Sequence, residues 1–311
     1  CPLCGKSTNS VIANQLRRGD GKVYYCTPCQ HGFLVNQSVI DAKTYYAEHY
    51  RQEYSHNAGV AATNAPELFE VYHNFQRDRL ERIGPLLRGD TRLLEVGASA
   101  GQFLVHIKDK VANVNAIELD TACCRFLQEV HGIDAQAEYF EKSRFAGERY
   151  DIVCAFQVME HVDDPVTFLK TLKEATRPGG TLFVEVPNLR DPLLSIWDVP
   201  TYRNFFYHSA HVHYFTEASL RQVAQRAGFA EKQVDISFTQ DYNLLNHLHW
   251  IMNNGPQADC FVGLSEVNLP GANKELCGWL TQEMRALNER YIAKLVAQKS
   301  TSNMMMRLSN G

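Results

Sequence analysis

Four cysteines at the start of the chain form two C-x2-C knuckles, Cys1 with Cys4 and Cys26 with Cys29. Two such knuckles can bring four thiolates together tetrahedrally, the donor set that suits Zn2+. Four sulfurs leave no open coordination position, so the expected role is to fold a small ribbon that could not build a core alone. His31 is a spare ligand at most. The other five cysteines, Cys123, Cys124, Cys154, Cys260 and Cys277, follow no ligand spacing. An odd total of nine points to reduced thiols and a cytoplasmic setting rather than a disulfide framework.

A second stretch with chemistry in it is LLEVGASAGQFL, residues 93–104. An apolar run, an acid and two glycines four apart read as a strand, a tight turn and the start of a helix. Glycine at 97 and 101 lets the backbone approach a ligand closely. A P-loop is excluded, because no Lys-Ser or Lys-Thr follows Gly101. A dinucleotide turn would need a glycine at position 99, where serine stands. S-adenosylmethionine (SAM) has no phosphates and remains. Glu118 ends the next strand in AIELD, where a carboxylate can hold both ribose hydroxyls. Glu95 beside the turn would repel a pyrophosphate but favours a cationic sulfonium and ammonium.

A third concentration of reactive groups lies in residues 188–216. It holds Tyr202, Phe205, Phe206, Tyr207, His208, His211, His213 and Tyr214. A connection this long is usually functional. Aromatics with a few polar groups suit a sugar or base pocket. His161, in MEHV, is read as lining on the same side. Tyr242, Asn246, His247 and His249, at helical spacing in DYNLLNHLHW, fit a helix face beside it.

The elements that must position these groups alternate. Strand-like runs are RLLEVG, NVNAIEL, YDIVCAFQV and GTLFVEVP; helix-like runs between them are GQFLVHIKDK, TACCRFLQEV and DPVTFLKTLKEAT. Alternation of this kind predicts a parallel sheet covered on both faces. Before it, PELFEVYHNFQRDRLERIGPLL has helical apolar spacing, with Pro66 suited to the first turn. Asp163 or Asp164 can cap the helix that Pro165 opens, and RPGG stops it. After it come a helix in TEASLRQVAQRAGF, a strand in EKQVDISFTQ, a long helical stretch and a last strand in TSNMMMRLS. Residues 241–299 then read as an insertion between two adjacent strands. The tyrosine-rich TYYAEHYRQEYSHN, residues 44–57, reads as a connector or an aromatic lid.

With these elements in order, the chain resembles the class I SAM-dependent methyltransferases over roughly residues 70–240. The resemblance implies a Rossmann-like α/β fold with a seven-stranded sheet. It implies that Glu95, Gly97, Ala98 and Gly101 line the methionine end of SAM and that Glu118 takes the ribose. Leu119, Ala137 and Glu138 would flank the adenine, and Gln157 would close over the cofactor. The expected organisation is a zinc ribbon and connector in residues 1–60, a SAM-binding core in 61–240, a helical cap in 241–299 and a final core strand in 300–311.

The ribbon and the segment FFYHSAHVHYF narrow the likeness to the zinc-ribbon sugar C-methyltransferase group, whose motif resembles Y-x-E-H-x-x-Y-F. His211, Tyr214 and Phe215 match its second half. His208 stands at the tyrosine and Ala210 at the glutamate, which leaves C-, O- and N-methylation open. His211 is the expected general base, with His208 and Tyr214 in support. The implied acceptor is a nucleotide-linked sugar of surface-glycan or secondary-metabolite synthesis. Two other readings stay in view: a zinc-ribbon rRNA methyltransferase, and a SAM-fold scaffold without turnover.

Composition bounds these readings. The chain has 311 residues, 45% hydrophobic and 21% charged, with a formal net charge of -4. A dedicated nucleic-acid binder usually carries a basic face, so nucleic acid is an unexpected partner. No apolar run nears the roughly 18 residues of a membrane span.

Overall fold

The computed structural model describes residues 1–17, 20–35, 44 and 64–311. All of the tyrosine-rich segment but Thr44 lies outside them, as does the expected boundary at residue 60.

The ribbon has three short antiparallel strands, β1 (Val11–Ala13), β2 (Val23–Cys26) and β3 (His31–Leu34). Two helices follow, α1 (Ala65–Tyr72) and α2 (Arg77–Ile83). The sequence pattern reads as one helix across this region. It breaks because side chains take the last-turn carbonyls: His73 Nδ1 lies 3.1 Å from Phe69 O, and Gln76 donates to Tyr72 O at 2.9 Å.

The core alternates β4 (Arg92–Val96), β5 (Asn113–Ile117), α3 (Thr121–Glu129), β6 (Asp134–Gln136), β7 (Tyr150–Phe156), α4 (Pro165–Ala175) and β8 (Thr176–Pro187). Asp164 caps α4 by accepting from the Val166 and Thr167 amides. The stretch expected as a helix after Gly101 forms instead two 3-10 turns, Leu104–His106 and Lys108–Lys110. Three residues per turn put Leu104 and Ile107 on one face, and both are fully buried against the sheet. The edge strand β6 is three residues of mixed polarity, too short to stand out in the sequence.

Between β8 and the next long helix run α5 (Pro192–Ser195), α6 (Pro200–Phe206) and β9 (His213–Tyr214). Then come α7 (Glu217–Arg226) and β10 (Val234–Thr239). The insertion supplies α8 (Leu244–Asn253), α9 (Phe261–Leu264) and the 24-residue α10 (Lys274–Ala297), and β11 (Asn303–Asn310) ends the sheet.

The seven-stranded sheet has the order β10-β11-β8-β7-β4-β5-β6. β11 runs antiparallel between β10 and β8, and the other pairs are parallel. The chain moves outward from β4 in one direction and resumes at β7 in the other. That reversal opens a crevice at the C-terminal ends of β4 and β7, where ligands of open α/β sheets bind.

The ribbon packs into the same core. Leu3, Cys26, Cys29 and Phe33 share one apolar cluster with Leu169, Phe215 and Leu220. Its sheet takes β9 as a fourth strand, with Gly32 opposite Tyr214 and Phe33 opposite His213. Long loop and ribbon are thus one hydrogen-bonded unit. Among the described residues no helix is long and apolar enough to cross a membrane.

Candidate active site

The turn after β4 is built for close approach. Gly97 and Gly101 have φ of +79° and +85°. A Cβ on Gly97 would meet Val158 Cγ2 at 2.3 Å, and one on Gly101 would meet Leu127 Cδ2 at 2.6 Å. Both carboxylate oxygens of Glu118 accept backbone amides, from Ser99 at 2.6 Å and Asp120 at 2.8 Å. The acid after β5 therefore holds the glycine turn in shape as well as facing the crevice.

A cavity of about 1110 Å³ opens from this turn. One end is walled by Glu95, Gly97, Ala98, Glu118, Leu119 and Gln157. Gly101 lies behind the turn. On the adenine side the wall is formed by Tyr139, Phe140 and Glu141, whereas Ala137 and Glu138 are not part of it. The other end is walled by α1 and α2 and by the insertion, through Tyr72, Phe75, Arg79, Asp241, Tyr242 and Asn243. None of these six carries a motif, because they come from segments far apart in sequence. Tyr242 alone stood out. Asn246 and His247 are buried in α8 away from the cavity wall.

Arg79 is the structural link between the two ends. Its guanidinium forks onto Glu185 (Nε–Oε2 3.2 Å, NH2–Oε1 2.5 Å) and lies 4.4 Å from the Phe156 ring centroid. Gln157, in the left-handed region at φ +57°, donates to Glu185 at 3.0 Å. Burial pulls Glu185 up, but the Arg79 charge outweighs it and holds the carboxyl below its ordinary value. Glu95 has no such partner. It is 3% exposed, its Oε2 has no hydrogen-bond partner, and burial pushes its pKa up to about 8 despite nearby Arg79. An orphaned buried carboxylate oxygen beside a glycine turn fits the ammonium of SAM. In the same wall Glu118 stands where a ribose would be held.

The buried acids make stability fall with pH. Folded, Glu95 keeps its proton to about pH 8 and Asp191, raised by burial, to about 7. Buried histidines, with lowered values, act oppositely, because their unfolded imidazoles take up protons around pH 6.5. Above about pH 7.5 that effect is spent, the folded chain binds more protons than the unfolded chain, and ΔG of unfolding decreases as pH rises. The thermal midpoint without SAM should fall between about pH 7.5 and 9, and Glu95→Gln should flatten that fall. A midpoint that climbs over this range in calorimetry would contradict the assignment.

His208, His211 and Tyr214 come together but stand back from the cavity. The Tyr214 hydroxyl locks the loop, accepting from the His208 amide and donating to its carbonyl, both at 3.1 Å. The His208 and His211 rings are 3.7 Å apart, centroid to centroid. None of the three lines the cavity; His161 does, and its ring is 4.6 Å from that of His211. His161 Nδ1 bonds Ala210 O at 2.8 Å. Glu160, beside them, is 1% exposed. Its carboxylate Oε1 lies 3.9 Å from His211 Nε2.

At the ribbon, the sulfurs of Cys1, Cys4, Cys26 and Cys29 all lie within 4.8 Å of one another, with Cys4 to Cys26 at 3.7 Å. A tetrahedron of Zn–S bonds has edges of roughly 3.8 Å, so the set fits zinc. His31 turns away from it, onto His213 Nδ1 at 3.0 Å.

Comparison with known proteins agrees with this geometry. A profile of the methyltransferase-domain family matches residues 68–234, more than half of the chain. The chain belongs to this family. It is a class I SAM-dependent methyltransferase, and an enzyme class rather than a bare scaffold is what the family describes. Among curated relatives, the ubiquinone biosynthesis O-methyltransferase of Parvibaculum lavamentivorans is 31% identical over 104 residues, 32% of this chain and 41% of that protein. The enzyme of the same name from Cereibacter sphaeroides is 31% identical over 128 residues, 40% of this chain and 50% of that one. The methyltransferase thus spans half or less of the length of these relatives. Among solved structures, phosphoethanolamine N-methyltransferase 2 of Haemonchus contortus in complex with S-adenosyl-L-methionine superposes with a TM-score of 0.51 at 12% identity, over 89% of this chain and 62% of that one. A methyltransferase from Haloferax volcanii complexed with the Trm112 activator gives 0.51 at 12%, over 88% and 99%. At such identities both show the fold alone.

Proposed function

We propose that the methyltransferase moves the methyl of SAM to a hydroxyl of a small, hydroxyl-rich acceptor held between the glycine turn and the insertion. The observation that carries this is the charge of the cavity wall. Among the described residues it has nine acids, with Arg77 and Arg79 the only Lys or Arg side chains. Arg79 is already paired with Glu185. A wall of carboxylates and amides accepts hydrogen bonds from hydroxyls and stabilises a sulfonium, while it repels phosphate. The curated relatives named O-methyltransferases point the same way.

A nucleotide-linked sugar is the second reading. Its sugar would enter, and its pyrophosphate would stay at the mouth beside Arg77, whose side chain is 71% exposed. An RNA acceptor would meet the same repulsion without that relief.

In this reading residues 1–60 hold zinc structurally, 61–240 bind SAM, 241–299 wall the acceptor and 300–311 complete the sheet. Methyl transfer is an in-line displacement in which alignment supplies most of the rate. Glu95 and Glu118 hold SAM by its ammonium and its ribose, and Arg79 holds Glu185 in place; Tyr72, Asp241, Tyr242 and Asn243 fix the acceptor. Activation of the acceptor hydroxyl belongs to the group of Glu160, His161 and His211. His208 and Tyr214 position that group.

The test is release of S-adenosylhomocysteine with free polyols, phenols, nucleotide sugars and structured RNA offered in parallel. Turnover is expected on neutral hydroxylated acceptors, and Asp241→Asn should raise the acceptor KM about tenfold while leaving SAM affinity intact. Turnover on RNA alone would refute the reading.

A further inference from the structure

Glu160, His161 and His211 form a cluster that the SAM site does not account for. Glu160 and His161 follow β7, and His211 comes from the β8–β9 loop. Glu160 Oε1 lies 3.8 Å from His161 Nε2 and 3.9 Å from His211 Nε2. The three donor atoms are all within 4.8 Å of one another.

The contacts inside the cluster are one-sided. His161 Nδ1–H donates to the Ala210 carbonyl, and its Nε2 lies on the Glu160 side, 3.8 Å from Oε1. Glu160 is buried, and neither of its carboxylate oxygens has a hydrogen-bond partner. At 3.8–3.9 Å, a proton on either side would make no hydrogen bond. Three ligand atoms are gathered in one small space, at a spacing a proton cannot bridge.

We propose that Glu160, His161 and His211 bind a divalent cation at the wall of the acceptor cavity. Two imidazoles and one carboxylate at bonds of about 2.1 Å stand roughly 3–3.5 Å apart around one ion. Side-chain shifts on the order of 1 Å close the observed cluster onto that geometry. The Ala210 carbonyl then serves as the outer partner that orients a ligating histidine. The backbone is already fixed across the site, since the Val212 amide donates to Glu160 O at 2.9 Å. Three protein ligands leave adjacent positions open, and His161 lines the cavity. The ion's role rests on the proposed hydroxyl acceptor: it takes that oxygen, or two neighbouring ones, and lowers the hydroxyl pKa so that the proton leaves to water. The ligand set suits Mn2+, Fe2+, Co2+ or Zn2+, whereas the ribbon's four thiolates select zinc.

The probe is Mn2+, which disfavours the thiolate site, titrated into the full chain and followed by EPR. One bound Mn2+ is expected, with nitrogen couplings from two imidazoles. Glu160→Gln and His211→Ala should each weaken it at least thirtyfold, with one ribbon zinc and unchanged SAM affinity showing that both variants fold. If neither folds, the nitrogen couplings of the unsubstituted chain decide. Absence of bound Mn2+, absence of those couplings, or equal affinity in folded variants would overturn the site. Methyl transfer at full rate in a Glu160→Gln chain that binds no Mn2+ would overturn the cation's role and leave the hydroxyl reading intact. A bound cation with no transfer to any hydroxylated acceptor would do the reverse.

Discussion

Gly97→Ala should weaken SAM binding at least a hundredfold, about 2.7 kcal/mol, while the chain stays folded. Two costs combine. The left-handed backbone at φ +79° costs an L-residue roughly 1–2 kcal/mol. The new methyl would sit 2.3 Å from Val158 Cγ2, a contact that must push either the turn or the segment after β7. That segment carries Gln157 and leads to His161, so its displacement moves both walls of the cavity. Calorimetric titration with SAM measures the effect. Gly147→Ala separates the costs, because Gly147 has the same backbone strain, at φ +85°, and open space around its Cβ position. It should lose a little stability and no SAM affinity. Val158→Ala added to Gly97→Ala should recover part of the loss. A Gly97→Ala chain with undiminished affinity would mean that SAM does not bind against this turn.

Removing the metal from the four cysteines, or Cys26→Ser, should lower kcat at least tenfold and leave SAM affinity within about twofold. The ribbon holds the acceptor-side loop. β3 pairs with β9, the Leu34 amide donates to Val212 O at 3.0 Å, and Thr216 donates to Gln30 O at 2.8 Å. Gln222 donates to the carbonyl of Cys29 itself, at 3.2 Å. Without metal the knuckles lose their geometry, since a ribbon of this size has too little core to hold itself. β9 then loses its partner, and His211 loses its place beside Glu160 and His161. Equal losses in SAM binding and turnover would show instead that the whole fold depends on the metal.

The sequence shows the sheet better than the cavity. β4, β5, β7 and β8 are apolar runs between turn signals, and a parallel strand buried on both faces has to read that way. Glu95, Gly97 and Glu118 are legible because the ligand is held where strands end, and strand ends are visible. The acceptor side is assembled differently. Arg79 from α2, Glu185 from β8 and Asp241 from the insertion meet only after the sheet closes, and no local pattern joins them. The loop histidines were visible, but their depth was not. Tyr214 is spent on a backbone lock, and His211 reaches the cavity only through His161. What decides this is β9 joining the ribbon, a two-residue strand that period-two patterning is too short to reveal.

The position of β11 has a consequence for how the chain reaches its native state. β8 and β10 do not pair with each other; β11 joins them, its Met304 standing opposite Val186 and Phe238. The whole insertion lies between β10 and β11. Until that late segment arrives, β8 and β10 present open edges to water and to other chains. Closing pairs so distant in sequence is slow, because loop entropy is lost before any contact is gained. Refolding should therefore stall at a species with the β4–β7 half formed and the β8 edge bare, and its fate should depend on protein concentration. Dilution or a holdase chaperone would rescue yield there, and substitutions at Met304–Met306, all at most 1% exposed, would act mainly by extending the lifetime of that open-edged species.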